Sequence, residues 1–337
     1  MNILIWNVRG LNDPLKQKEV VGRVRDLKIN LVSLIETKVK ENKINAIISK
    51  HFHGWQVAHN YSKVAYNGRI WLLWNGLQVD LVDTMDQSIT CCELFGMQRF
   101  FLSVIYGCNK GAERRRFWSH LLTMKASIPN GPWLLAGDFN VIAHHSESSK
   151  CIDSQSANLK EFQDCLQELA VFDHVYFGPM FTWSNHQDET FVAKKLDRVL
   201  ISENWHLEFA HSTVVILPSE VSDHSPMLVK LNRDYSSSPK PFKFFNYWIK
   251  HSTYFAIVEK SWLEPMSGSP MAILYRKLKR LKQKLKAFNK ENFSEISMKV
   301  ETKRAELARV QEEILRHSRA ELVQTEKKLA EEFHELK

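Results

Sequence analysis

Residues 132–140 read PWLLAGDFN: an apolar run that ends abruptly in a glycine, a carboxylate and an amide. A short apolar run closed by polar residues is what a strand buried on both faces looks like in sequence. Gly137 permits a turn, and Asp138 and Asn140, two residues apart, fall on one side of an extended chain. By itself GDFN is explained equally well by an Asx turn. The same construction recurs along the chain, however. Asn7 closes ILIWN, Glu36 closes LVSLIE, and Tyr106 closes RFFLSVIY. Thr182 to Asn185 sit in FTWSN, Asp197 opens DRVLI, and Ser222-Asp223-His224 precede PMLVKL. Polar groups at the ends of buried strands are pointed into a shared crevice by a rigid scaffold.

The intervening segments supply helices. Val20, Val21, Val24 and Leu27 recur at helical spacing. Further helices are expected near 40–50, 112–126 and 157–170, and further strands at 69–74, 79–83, 213–217 and 226–231. Strands dominate, with helices between them and no GxGxxG or P-loop. This favours an α/β sandwich of two sheets flanked by helices over a doubly wound parallel sheet.

Charge divides the chain. Of 46 Lys+Arg and 38 Asp+Glu, residues 1–232 hold 24 of each, so the whole net charge of +8 lies behind them. Residues 271–290 alone hold eight basic residues and no acid. The front reads as a balanced domain over 1–232. YSSSPKP at 235–241 reads as a linker, and 233–270 as linker plus an aromatic docking segment, PFKFFNYW at 241–248. From 271 to 337 the chain turns helical. Leu274, Leu278, Leu281, Leu285 and Phe288 form a heptad seam, a break is expected at Asn289–Phe293, and a second helix carries Val300, Leu307, Val310, Ile314, Leu322, Leu329, Phe333 and Leu336. The two helices form either an intramolecular hairpin or a homodimeric coiled coil. The lysines are either a solvated face or a nucleic-acid arm. RKLKRLKQKLK at 276–286 is a weak import signal.

Five cysteines, with no CxxC or Cys/His spacing, read as reduced thiols and not as a zinc site. No apolar run is long enough for a membrane span, and no secretory signal is present.

The chemistry follows from residue type. Glu36 at a strand end is a good Mg²⁺ ligand. Asp138 can take a proton from water, and Asn140 can hold the attacking oxygen or a phosphate. His224 can donate to a phosphate oxygen when polarised by a carboxylate, for which Asp197 is the candidate. Asn7 and Tyr106 add hydrogen-bonding groups; Tyr106 would orient a phosphate or protonate the leaving oxygen. His144-His145 are read as loop residues.

As an ordered set over residues 1–232, these motifs resemble the endonuclease/exonuclease/phosphatase superfamily. More narrowly, they resemble the apurinic-endonuclease-like nuclease domain of LINE-type (non-LTR) retrotransposons of plants. PFKFFNYW, SGSPM at 267–271 and the basic helix resemble the spacer that follows this nuclease. The resemblance implies a four-layered α/β/β/α sandwich and a Mg²⁺-dependent (alternatively Mn²⁺-dependent) endonuclease acting on DNA in the nucleus. Glu36 would bind the metal with Asn7 and Asp223. Asp138, Asn140, Asp197, His224, Tyr106 and Asn7 would carry the chemistry. Thr182, Asn185 and Ser222 would contact substrate phosphate. The loop His186–Lys195 takes the place of a groove-binding hairpin and is expected to influence target choice. No Tyr-x-Asp-Asp polymerase signature occurs, so the reverse transcriptase is missing, and whether this is a truncated or domesticated element is left open by the sequence. The rival readings are a phosphodiesterase or phosphatase of the same fold acting on another phosphate ester, and a catalytically idle protein that binds nucleic acid or a partner.

Overall fold

The computed structural model describes residues 1–61, 70–95, 98–128, 131–150, 156–187, 190–231, 244, 246–266, 270–317 and 320–335. The expected linker 235–241, most of SGSPM and part of PFKFFNYW lie outside these residues. Two compact units are present: Met1–Arg233 with Leu307–Lys328, and Asp234–Glu306 with Leu329–Lys337.

The first unit is an α/β/β/α sandwich. One sheet contains β1 (Asn2–Asn7), β2 (Leu31–Ile35), β3 (Gln56–His59), β4 (Ile70–Trp74), β10 (Tyr176–Phe177), β14 (Thr213–Ile216) and β15 (Met227–Lys230), in the order β10-β14-β15-β1-β2-β4-β3. The other contains β5 (Val79–Thr84), β6 (Ser88–Phe95), β7 (Gln98–Tyr106), β8 (Trp133–Asp138), β9 (Val171–Asp173) and β13 (Asp197–Ser202), in the order β5-β6-β7-β8-β13-β9. A small ribbon pairs β11 (Trp183–Ser184) with β12 (Ala193–Lys194).

The two-residue period of the strands builds three packed layers. Ile3, Ile5, Leu72, Leu102, Leu134 and Val199 meet between the sheets. Leu4, Trp6, Val32 and Trp71 point the other way, onto Val20, Val21 and Val24 of α1 (Pro14–Asp26) and Ile44 and Ile47 of α2 (Ile44–His51). On the second sheet Ile105, Trp133, Leu135 and Leu200 pack on Phe117, Trp118 and Leu121 of α3 (Gly111–Ser127) and Phe162 and Cys165 of α4 (Ser156–Leu169). Both faces of the central strands are therefore apolar, which is why they read as unbroken runs in sequence. A short α5 (Glu203–Glu208) inserts Trp205 between the sheets.

In the second unit Trp248, Leu285 and Phe288 are buried with Tyr254 and Ile257 of α6 (Tyr254–Leu263). Glu264 pairs with Arg280 (3.1 Å) and Lys284 (2.8 Å), so part of the basic strip is neutralised locally. The break expected at Asn289–Phe293 does not occur: α7 runs unbroken from Pro270 to His317. Asn289 accepts from the Trp248 indole (2.9 Å), and Asn292 donates back to the Phe288 carbonyl (2.9 Å). Asn costs a helix only a few tenths of a kcal/mol, and such contacts outweigh that. The first half of the leucine seam, Leu274 and Leu278, is exposed. After α7 come a short 3₁₀ turn (Ala320–Leu322) and α8 (Val323–Glu335). No helix among the described residues is long and apolar enough to cross a membrane.

Candidate active site

The topology gathers the strand-end residues on one edge of the sandwich. β1 and β2 run parallel, as do β7 and β8, so Asn7, Ile35 just before Glu36, Tyr106 and Asp138 all mark the same end. β13 is antiparallel to β8 and β15 to β1, which brings the starts of those strands to that end. Register does the rest: Tyr106 lies opposite Asp138, and Asp138 opposite Asp197. Gly137 (φ +149°) makes the β7–β8 approach feasible, because a Cβ there would lie 2.0 Å from the Ile105 carbonyl oxygen.

Asn7 is the hub. Its Nδ2 donates to Oδ2 of Asp138 (2.8 Å) and to Oε2 of Glu36 (3.2 Å). Asp138 is buried and accepts the Asn140 backbone N–H through Oδ1 (2.9 Å). His224, also buried, places Nδ1 2.8 Å from Oδ2 of Asp197 and Nε2 3.8 Å from Oδ2 of Asp138. Burial alone would lower the His224 pKa, but Asp197, Asp138 and Glu36 together raise it. Burial pushes the Asp138 carboxyl up against the pull of His224, while Asp197 adds to the rise. Desolvation would also raise Glu36, yet Lys38 (Nζ 2.8 Å from Oε1) and Asn7 hold it below its ordinary value. The result is a histidine whose pKa is raised by the carboxyl groups around it on one flank, and a glutamate kept below its ordinary pKa on the other.

These groups open into a cavity of about 330 Å³ lined by Glu36, Tyr106, Asp138, Asn140 and His224. It is also lined by Arg9 and Arg114, which strand-end reasoning missed, and by Trp183 and Lys194, which lie in the FTWSN motif and the 186–195 loop but were given no individual role. Arg114 is buried, and its Nη1 donates to the carbonyls of Cys108 (2.7 Å), Asn109 (3.0 Å) and Asn140 (3.1 Å). It thereby ties the loop after Tyr106 to the turn after Asp138. A detectable signal existed, since Arg114 shares a helix face with Phe117, Trp118 and Leu121.

Not every expected site residue faces the cavity. Thr182 is fully buried, and its hydroxyl accepts the N–H groups of Leu196 (3.1 Å) and Asp197 (2.9 Å), so it positions Asp197 and is not free to meet a phosphate. Asn185 closes its own loop, with Nδ2 on the Thr190 carbonyl (2.7 Å) and Oδ1 accepting from Val192 (3.0 Å). Ser222 donates to the Asn7 carbonyl (2.8 Å) and accepts the His224 N–H (3.3 Å). Asn185 and Ser222, like Thr182, are therefore engaged within the protein instead of with substrate.

The donor set suits a hard cation. Glu36 is ionised and faces the cavity, in a left-handed backbone conformation (φ 55°) that turns it away from its strand. Asp223 engages Arg9 and the Trp183 indole (2.8 Å) through Oδ2, while its buried Oδ1 has no protein partner. A buried carboxylate oxygen without a partner is costly, and oxygen ligands are what Mg²⁺ prefers. Asp138, Asp197 and His224 also lie close enough together to chelate an ion. The His224–Asp197 hydrogen bond and the carboxyl groups that raise the His224 pKa also suit them to proton transfer.

Residues 4–224 match the model of the Endonuclease/Exonuclease/phosphatase family. The chain belongs to this family. Members of the family are generally hydrolases of phosphodiesters. Among solved structures, the chain is similar to the endonuclease domain of TRAS1, a telomere-specific non-LTR retrotransposon (14% identity, 69% of this chain and 99% of that one, TM-score 0.55). It is also similar to an AP endonuclease from Archaeoglobus fulgidus (13% identity, 69% and 100%, TM-score 0.52). At these identities the likeness is one of fold, and it bears out the four-layered architecture. No curated protein matches the chain in sequence.

Proposed function

We propose that the protein is a divalent-metal-dependent endonuclease that hydrolyses DNA phosphodiester bonds and leaves a 3′ hydroxyl. The observation that carries this reading is the convergence of Glu36, Asp138 and His224 on one cavity, with Asn7 bonded to Glu36 and Asp138 behind it and Asp197 bonded to His224. Arg9, Arg114 and Lys194 stand around it, as a polyanionic substrate requires. Asp138, oriented by Asn7 and the Asn140 N–H, aligns a water and takes up its proton. The water oxygen bonds to phosphorus as the bond to the 3′ oxygen breaks; that oxygen takes its proton from solvent, to which Asp138 releases the one it accepted. His224, charged and held by Asp197, stabilises the extra negative charge on the phosphorane. Tyr106 and Asn140 orient the phosphate. A divalent cation held by Glu36, with Asn7 and Asp223 beside it, would supply further charge neutralisation. Action on DNA implies the nucleus, and the basic run 276–286 fits an import signal.

Plasmid nicking tests the proposal. Supercoiled DNA is relaxed with Mg²⁺ or Mn²⁺ and not with EDTA, and Asp138→Ala and His224→Ala each lower the rate by at least about 10²-fold. Equal cutting by either variant refutes the assignment. Hydrolysis of a phosphoinositide but not of DNA establishes a different member of the family. Folded protein inert on both is the idle binder.

A further inference from the structure

The end of α7 and the start of α8 belong to the same compact unit as the sandwich. Leu307, Val310, Ile314, Leu315 and Val323 are buried there, and Leu315 shares a crevice with Phe177, Pro179 and Leu217. What stands out is a polar chain inside this apolar contact. Gln311 is 3% exposed and Glu326 5% exposed. Gln311 donates through Nε2 to Oε1 of Glu326 (2.9 Å), and its Oε1 accepts the Glu220 N–H (3.1 Å). Oε2 of Glu326 lies 2.8 Å from Nδ1 of His186. The Phe181 N–H also donates to the Leu315 carbonyl (3.4 Å).

Each anchored residue leads directly into the cavity wall. Phe181 and His186 bracket β11, whose Trp183 lines the cavity and bonds Asp223. β11 pairs with β12, whose Lys194 lines it as well. Glu220, held from its other side by Arg23 (2.8 Å), stands two residues before Ser222, which bonds the Asn7 carbonyl. Glu220 and His186 both adopt left-handed backbone conformations (φ 52° and 50°), which need support from their surroundings. A fully satisfied buried polar chain fixes one arrangement where apolar packing alone would allow several.

We infer that Gln311 and Glu326 are positioning residues of the nuclease: they set the β11–β12 hairpin and the 220–222 turn, and so determine which positions on a DNA duplex are presented to the cavity. The inference rests on the DNA-cutting reading above. It makes the segment Leu307–Lys328 part of the substrate-selecting surface. The hydrolytic groups are left alone, because neither residue touches Asp138, Asp197, His224 or Glu36.

The geometry provides its own control. Gln311→Glu sets two carboxylates against each other. The swap Gln311→Glu with Glu326→Gln exchanges amide and carboxylate and restores every bond. The amide, now on α8, donates to the carboxylate on α7 and accepts from His186, while that carboxylate accepts the Glu220 N–H. The experiment compares full-length wild type, Gln311→Glu, Glu326→Leu and the swap on an end-labelled duplex, with melting curves to verify folding. Expected for both single variants is a redistribution of nick positions and a KM raised about fivefold, the factor for one net hydrogen bond, at nearly unchanged kcat. The swap returns both to wild type. Folded single variants with unchanged nick positions and KM overturn the inference. So does a loss confined to kcat, or a swap that restores nothing. If wild type cuts no DNA, the functional reading fails, and the brace is judged by amide exchange at 183–187 and 190–195. Faster exchange in Gln311→Glu that the swap reverses supports it, and equal exchange overturns it.

Discussion

The two flanks of the cavity are built on opposite plans. On one, Asp138 (1% exposed), Asp197 (1%) and His224 (4%) are sealed among strands, with His224 bonded to Asp197 (2.8 Å) and 3.8 Å from Asp138. On the other, Glu36 sits at a bent strand end beside Lys38 and Arg9, whose side chains are 46% and 52% exposed. Electrostatic interactions gain strength as water is excluded, so the first flank acts as a fixed charge arrangement needing no reorganisation. The second leaves charged groups in contact with solvent, where an ion and a phosphate can enter. In the proposed function the buried groups handle protons, and the open groups meet the ion and the phosphate.

The contrast is broken most directly from the sealed side. Asp197→Asn keeps the shape but removes the charge that raises the His224 pKa, and kcat for nicking is expected to fall by about 10³-fold with KM little changed. A fall below tenfold means the sealed flank is structural.

A second variant asks whether partners, and not burial alone, make that flank tolerable. Glu93 on β6 is 1% exposed, faces between the sheets like Ile89 and Cys91, and has no hydrogen-bond partner for either carboxylate oxygen. Burial raises its pKa to about 8, so the folded protein keeps the proton that the unfolded chain gives up near pH 4.5. Stability from this group is complete below the unfolded value and is lost as pH climbs through about 8. Glu93→Gln should therefore gain over wild type from pH 5 upward, by about 3 kcal/mol near pH 7. Denaturant melts at several pH values would detect this. Parallel pH profiles would mean that the carboxylate is solvated in the fold.

The open flank gives the smallest effect. Glu36→Gln should raise the Mg²⁺ concentration needed for half-maximal nicking by 10- to 100-fold, an order-of-magnitude expectation for a lost ligand, while leaving the melting temperature nearly unchanged. An unaltered metal titration would move the cation site elsewhere.

Much of this was readable in the sequence, for definite reasons. β1, β2, β4, β7, β8 and β13 are central strands covered on both faces, so burial left an apolar run and function left a polar residue at its end. β6 escaped notice because SITCCELF mixes serine, threonine and glutamate with its apolar residues, and β3 has only four residues. Thr182 and Ser222 were expected to contact phosphate, but their hydroxyls are bonded to the Asp197 N–H, the His224 N–H and the Asn7 carbonyl. Spacing cannot distinguish a residue that touches substrate from one that supports its neighbour. Arg114 was lost among three consecutive arginines, of which it alone is buried. The helical tail misled in another way: its polar asparagines looked like a break, while Asn289 is bonded by the Trp248 indole and Asn292 by the helix's own Phe288 carbonyl.

Gly137 carries a corollary for reading related genes. Any side chain there would drive β8 off β7 and part Tyr106 from Asp138, although every polar group of the site would remain in the sequence. A copy of this gene that retains all the acids, amides and the histidine but has lost that glycine should be counted as silenced. An inventory of functional residues alone would score it as intact.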